Sequence, residues 1–134
     1  MRCLDTCFFI DLLRKDDQAV KKAQELDEKD ELLVTTQMNV YELFVGVYSS
    51  KGVDKEEQVR RIEQILDKTQ VLDMTSEASK KSAQIAGNLI SKGERIEIPD
   101  TITAGIILSK GIDIIVTRNK EHFERIDEIK VERY

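Results

Sequence analysis

Short apolar runs alternate along this 134-residue chain with longer stretches in which apolar residues recur every three or four positions. Those are the periods of strand and helix. Arg2 to Leu4 reads as a short strand, and Phe9, Leu12 and Leu13 recur at helical spacing within Thr6 to Arg14. Asp16 to Glu28 continues as a second, charged helix. "ELLVTT" predicts a brief strand ending at Thr36, which is placed to cap a helix from about Gln37 to Tyr48. Gly52 marks a break. In "DKEEQVRRIEQILDK" the residues Val59, Ile62 and Leu66 share one face, the mark of an amphipathic surface helix, and "QVLDM" follows as a strand. Thr75 or Ser76 starts a helix through Lys92, with Ile85, Ala86 and Leu89 inward and Gly93 as its stop. Pro99 and Asp100 open the helix "TITAGIILSK", which Gly111 closes, and "DIIVT" is an all-apolar strand of the kind buried on both faces. A short helix near Glu121 to Arg125 and a strand around Ile129 to Val131 complete the pattern.

Strands that alternate with helices in this way predict an α/β fold, a three-layer α/β/α sandwich around a central, mainly parallel sheet, with residues 1–134 as a single domain. In such a sheet ligands bind beyond the carboxyl ends of the strands. That rule selects Asp5 after the first strand, Thr117 to Asn119 after "DIIV", and the helix from Gln37 after "LLV".

Composition sharpens the picture in two respects. The formal net charge is −5, which does not suit a protein that holds nucleic acid by phosphate neutralisation alone, so a polyanionic partner requires mediating cations. Cys3 and Cys7 have no CxxC or Cys/His cluster to complete a zinc site and read as reduced core thiols in a cytosol. No apolar run reaches the roughly 20 residues of a membrane span, and Asp5 and Asp11 interrupt any signal-like core, so a cytoplasmic location is expected.

The helix from Gln37 is apolar almost all round except for Asn39, Glu42, Gly46 and Ser49, which fall at i, i+3, i+7 and i+10 and share a stripe. A charge in an otherwise buried helix must be paired or bound to a cation. Singly, each acid has a plainer reading: Asp5 and Asp100 as N-caps, worth about 1 kcal/mol apiece, and Glu42 as the partner of a Lys or Arg. Jointly, Asp5, Glu42 and Asp100 sit where the fold predicts one cleft, and no glycine-rich phosphate loop or nucleophile elbow competes for it. Converging carboxylates suit Mg²⁺ or Mn²⁺, hard cations that activate water and neutralise charge developing on a phosphoryl group. Asp11, on another helical face from Asp5, reads as surface or supporting.

"LDTCFFIDLLR", "VYELFVGV", "IPDTITAGIIL" and "VTRNKEHFERI" resemble, in order and across essentially the whole chain, the signature segments of PIN-domain ribonucleases, specifically the small VapC-like toxins of toxin–antitoxin pairs. The resemblance implies a metal-dependent endoribonuclease in which Asp5, Glu42 and Asp100 bind Mg²⁺ or Mn²⁺, with Thr6 beside the first. It further implies an RNA substrate, a homodimer, and a cognate antitoxin whose C-terminal segment covers the acidic groove. Family members commonly carry another acid at the place of Asn119 or His122; this sequence has neither, which leaves one metal or two open. Asn119 is expected as a neutral ligand or water holder, Thr117 and His122 as supporting residues, and Arg118 as a phosphate contact.

The rival readings are distinct. A haloacid dehalogenase-type phosphatase needs a second acid where Cys7 stands, and a receiver-like domain needs an acidic pair and a phosphoacceptor that the chain does not place. A catalytically weak PIN-like module that binds RNA or protein remains as the alternative.

Overall fold

A computed structural model describes all residues, Met1–Tyr134. Five strands, β1 (Arg2–Leu4), β2 (Leu33–Thr36), β3 (Gln70–Leu72), β4 (Ile114–Val116) and β5 (Lys130–Glu132), form one sheet in the order β3-β2-β1-β4-β5. Every neighbouring pair is parallel. The helices are α1 (Thr6–Leu13), α2 (Asp17–Glu28), α3 (Gln37–Ser49), α4 (Lys55–Leu66), α5 (Ser76–Ser91), α6 (Ile98–Ser109) and α7 (Lys120–Glu124). The expected layers are therefore present, and the sheet is parallel throughout.

Alternation along the strands creates two cores. Cys3, Val34, Leu72 and Ile115 face a cluster built with α5, α6 and α7, whereas Leu4 and Val116 face the opposite way, onto Phe8, Phe9, Leu26, Leu43 and Ile62 from α1 to α4. The chain moves one way from β1 to β3 with α1–α4 on one face, then crosses to β4 and β5 with α5–α7 on the other. Opposite directions on opposite faces are what a uniform crossover hand requires. The strand order reverses between β1 and β4, so a crevice opens at their carboxyl ends.

Local chemistry explains most boundaries. Asp16, Thr36, Asp54 and Thr75 accept hydrogen bonds from first-turn amides of α2, α3, α4 and α5. At α3 the cap is reciprocal, because the Asn39 side chain also returns to the Thr36 backbone. Gly93 and Gly111 follow α5 and α6 with φ of 70° and 75°, the left-handed conformation that ends a helix cheaply only at glycine. Gly105 lets α6 lie against α5, since a Cβ there would come within 1.8 Å of the Ser82 hydroxyl.

Four expectations need correction. The helix α3 is not buried all round: Tyr41, Val45 and Tyr48 are 64%, 46% and 61% exposed, and the inward residues are Asn39, Leu43 and Val47. Periodicity alone does not tell core from uncovered surface, and the outer apolar face of α3 is uncovered. The helix α6 begins at Ile98 with Glu97 at its N-cap, which puts Asp100 inside the first turn instead of at the cap. The last strand runs one residue later than expected, bringing Glu132 into it, and α7 one residue earlier.

Candidate active site

β1 delivers Asp5 to the crevice. Its backbone amide donates to the Val116 carbonyl, so it lies level with the end of β4, and its carboxylate is buried. Asp5 occupies the N-cap position of α1, yet its side chain makes no cap hydrogen bond. Instead Oδ2 accepts from the Thr117 hydroxyl at 2.7 Å and Oδ1 from Asn39 Nδ2 at 3.1 Å. Asp5 thus holds the N-cap position without making the cap hydrogen bond.

Asn39 is fully buried and ties the wall together. Its Oδ1 accepts from the Thr36 backbone amide at 3.3 Å, an obligate donor that fixes the amide orientation, and from the Thr36 hydroxyl at 2.8 Å. Nδ2 is thus turned to the cleft, where it donates to Asp5 and, at 3.0 Å, to the Thr6 hydroxyl. The Thr6 hydroxyl in turn donates to Glu42 Oε1 at 2.8 Å. Glu42 lies one turn beyond Asn39 on α3, half-buried.

Asp100 enters from α6. Its Oδ2 lies 2.6 Å from His122 Nδ1 and 3.2 Å from Asn119 Nδ2. An ionised Asp100 requires the hydrogen of His122 to sit on Nδ1. The Asn119 backbone amide donates to the Thr117 hydroxyl at 2.9 Å, which links this side of the cleft back to Asp5. The sole histidine is therefore a partner of a site carboxylate. Arg118, expected to face phosphate, is exposed, but its Nη1 donates to Asp11 Oδ1 at 3.1 Å.

The electrostatics are one-sided. Burial pushes the Asp5 carboxyl up, with the donors from Thr117 and Asn39 pulling it part of the way back. Burial likewise raises Glu42, and the charges of Asp5, Asp100 and Glu97 raise it further while Thr6 opposes them. Asp100 is raised by burial, against the hydrogen bond from His122, with Asp5 and Glu97 adding to the rise. No Lys or Arg forms an ion pair with Asp5, Glu42 or Asp100. Burial and the nearby Asp5 charge keep the Cys7 thiol protonated, so a thiolate nucleophile has no support here.

No three Asp, Glu, His or Cys side chains converge on one point at ligand distance. Thr6 holds Glu42 toward α1, and Asn119 and His122 hold Asp100 toward α7. The mutual field of the acids reaches farther than a coordination bond, so both observations stand together. The donors still fit a hard divalent cation. They are carboxylate oxygens without a Lys or Arg partner, and Mg²⁺ takes only one or two carboxylates directly, keeping waters for the rest.

Two contributors were not singled out by sequence reasoning. Asn39 had a signal, sharing the α3 stripe with Glu42, but a neutral amide does not advertise itself among acids. Glu97 is exposed and reaches the cleft only as charge, which no motif reports.

A model of the PIN domain matches residues 2–129. The chain belongs to the PIN-domain family. A Salmonella typhimurium protein described as a tRNA(fMet)-specific endonuclease VapC is 30% identical over 95 residues, which are 71% of this chain and 70% of that one. Among solved structures, DNA-bound VapBC from Salmonella typhimurium superposes with a TM-score of 0.84 at 26% identity, covering 98% of this chain and 96% of the other. VapBC from Rickettsia felis, bound to a DNA fragment from their promoter, gives 0.86 at 21% identity over 98% and 97%, a likeness of fold.

Proposed function

We propose that this chain is a metal-dependent endoribonuclease and the toxin of a toxin–antitoxin pair, acting as one PIN unit over residues 1–134. The observation that carries the reading is the set Asp5, Glu42 and Asp100, gathered at the crevice with neutral donors and no Lys or Arg partner, in a fold whose Salmonella relative is described as a tRNA-specific endonuclease. Asp5, Glu42 and Asp100 would hold Mg²⁺ or Mn²⁺, which supplies an activated water and charge neutralisation for hydrolysis of an RNA phosphodiester. Thr117 and Asn39 keep the Asp5 carboxylate oriented toward the crevice, Thr6 does so for Glu42, and Asn119 and His122 do so for Asp100. Water is restricted around Asp5 and Asp100 because both are buried.

The partners follow the same reading. Solved relatives are VapBC complexes, which supports a cognate antitoxin that inhibits by covering the acidic crevice. A homodimer is supported by the uncovered apolar face of α3, where Tyr41, Val45 and Tyr48 are exposed. No helix is long and apolar enough to cross a membrane, and Cys3 and Cys7 are free thiols, in keeping with a reducing cytoplasm. Sedimentation of the purified chain at micromolar concentration tests the dimer; a monomer removes it.

The activity is tested by incubating a mixed RNA pool with purified protein in Mn²⁺, Mg²⁺ or EDTA beside Glu42→Gln. Cleavage that needs the metal and is lost in the variant supports the nuclease. A second reading is a PIN module that binds without cutting, favoured by Asn119 and His122 standing against Asp100 where an acid is expected. Metal-dependent RNA binding without cleavage by the unaltered protein would establish that reading instead.

A further inference from the structure

A second cluster of polar groups adjoins the crevice and is not used by the reading above. Asp11, in mid α1, is a buried carboxylate, with its side chain only 5% exposed. Arg118 Nη1 lies 3.1 Å from its Oδ1 and 3.0 Å from its Oδ2, and the Tyr134 hydroxyl donates to Oδ2 at 2.6 Å. The Tyr134 ring meets buried Phe8 edge-on, with centroids 4.9 Å apart. Burial, and then the Asp11 hydrogen bond, hold the Tyr134 hydroxyl far above its ordinary value, so it remains a donor. One turn before Asp11 on the same face of α1, Cys7 Sγ accepts from the Arg118 backbone amide at 3.3 Å.

Stability alone does not call for this cluster, since apolar residues of similar volume replace buried ion pairs with no loss in many proteins. Its position is more telling. Arg118 is flanked by Thr117, which holds Asp5, and by Asn119, which holds Asp100. The guanidinium side chain is 61% exposed, yet one end is bound to a buried carboxylate. The short connection between β4 and α7 is thus held to α1 by backbone through Cys7 and by side chain through Asp11.

We propose that Asp11 is a positioning residue for the crevice: through Arg118, and braced by Tyr134, it fixes the Thr117–Asn119 segment whose donors orient Asp5 and Asp100. Asp11 touches neither substrate nor metal in this role. The kinetic part of its test rests on the nuclease reading, and the spectroscopic part does not.

His122, the only histidine, lies beside both Asp100 and Asn119, so its single imidazole signal reports on this segment in metal-free protein. That signal is recorded for the unaltered protein, Asp11→Asn, Arg118→Ala and the double variant, with kcat and KM for an oligoribonucleotide in Mn²⁺. The expected result is a displaced His122 signal in both single variants. Each also loses roughly 10-fold to 100-fold in kcat with KM within about twofold, the range for residues that orient ligands from behind. The double variant is no worse than the more affected single one, and Arg118→Lys, which keeps charge without the fork, does not restore the rate. Losses that multiply in the double variant, a loss confined to KM, or an unmoved His122 signal would each overturn the proposal. If the unaltered protein cuts no RNA, the nuclease reading fails and the His122 signal alone decides. Should Asp11→Asn not fold, Tyr134→Phe removes a single oxygen and carries the same comparison.

Discussion

Glu42 and Glu132 are both partly buried glutamates, and their surroundings treat the charge in opposite ways. Glu132 lies between Arg2 Nε at 2.5 Å and Lys22 Nζ at 3.0 Å. Burial raises its carboxyl, but Lys22 and Arg2 outweigh that and leave it below the ordinary range. Glu42 has only the Thr6 hydroxyl as donor and feels Asp5, Asp100 and Glu97, which with burial leave it above the ordinary range. The first region spends its cations on holding β5 to β1 and α2. The second leaves its acids without a Lys or Arg partner, at a cost in stability that the proposed divalent cation would relieve. The contrast separates a compensated charge network from an uncompensated one without recourse to motifs.

The largest effect separating the two regions is on catalysis. Asp100→Asn should reduce RNA cleavage by roughly 10²–10³-fold or more, whereas Glu132→Gln should leave the specific activity of folded protein within about twofold. Loss of cleavage in the Glu132 variant would erase the distinction. Next in size, Lys22→Ala should lower the unfolding free energy by about 2 kcal/mol in urea, less than for a fully buried pair because Arg2 remains beside Glu132. Asn39→Ala should cost a similar amount, about 2 kcal/mol, since it removes the α3 capping box and leaves Asp5 and Thr36 short of a partner. It should also lower activity, which Lys22→Ala should not.

Two smaller effects concern sign. Glu42→Gln should raise the melting temperature of metal-free protein slightly, because Gln can still accept from Thr6 and removes one of the repelling charges. The gain should vanish in saturating Mn²⁺, which stabilises only a form that binds it. An unchanged or lowered melting temperature in EDTA would count against uncompensated charge at the crevice. In pH, the raised carboxyls of Asp5, Glu42 and Asp100 weaken the fold when ionised, so metal-free stability should rise as pH falls from neutral through their raised values. Below the ordinary glutamate range the lowered Glu132 protonates, its contribution is lost, and stability should fall. Calorimetry from pH 7 downward checks for a maximum on the acid side. A smaller rise in Glu42→Gln, with the acid fall intact, would assign part of the first limb to Glu42 and the second to groups outside the crevice.

Much of this architecture was legible because its causes are local. Thr36 caps α3 as its position before an apolar run suggested, and the strand ends placed Asp5 and the helix that carries Glu42 near one edge. The errors arose where the cause is not local. The surface half of the reading of Asp11 fails because its meeting with Arg118 and Tyr134, more than a hundred residues on, makes it a buried charge, while the supporting half stays open. The outer face of α3 read as core because hydrophobicity records what a residue tolerates and leaves open what covers it.

By itself, then, the sequence determined the element types, their order, the parallel sheet that such an order demands, and Asp5 at the end of its first strand. Those depend on periodicity, caps and connection rules acting over a few residues. Tertiary structure alone decided the pairings: which carboxylates receive cations and which receive only hydroxyls and amides, and that Asn39 joins Asp5 to Glu42 through Thr6. The physical reason is that a charge's free energy depends on every group within several ångströms, and chain folding brings those groups from all along the sequence.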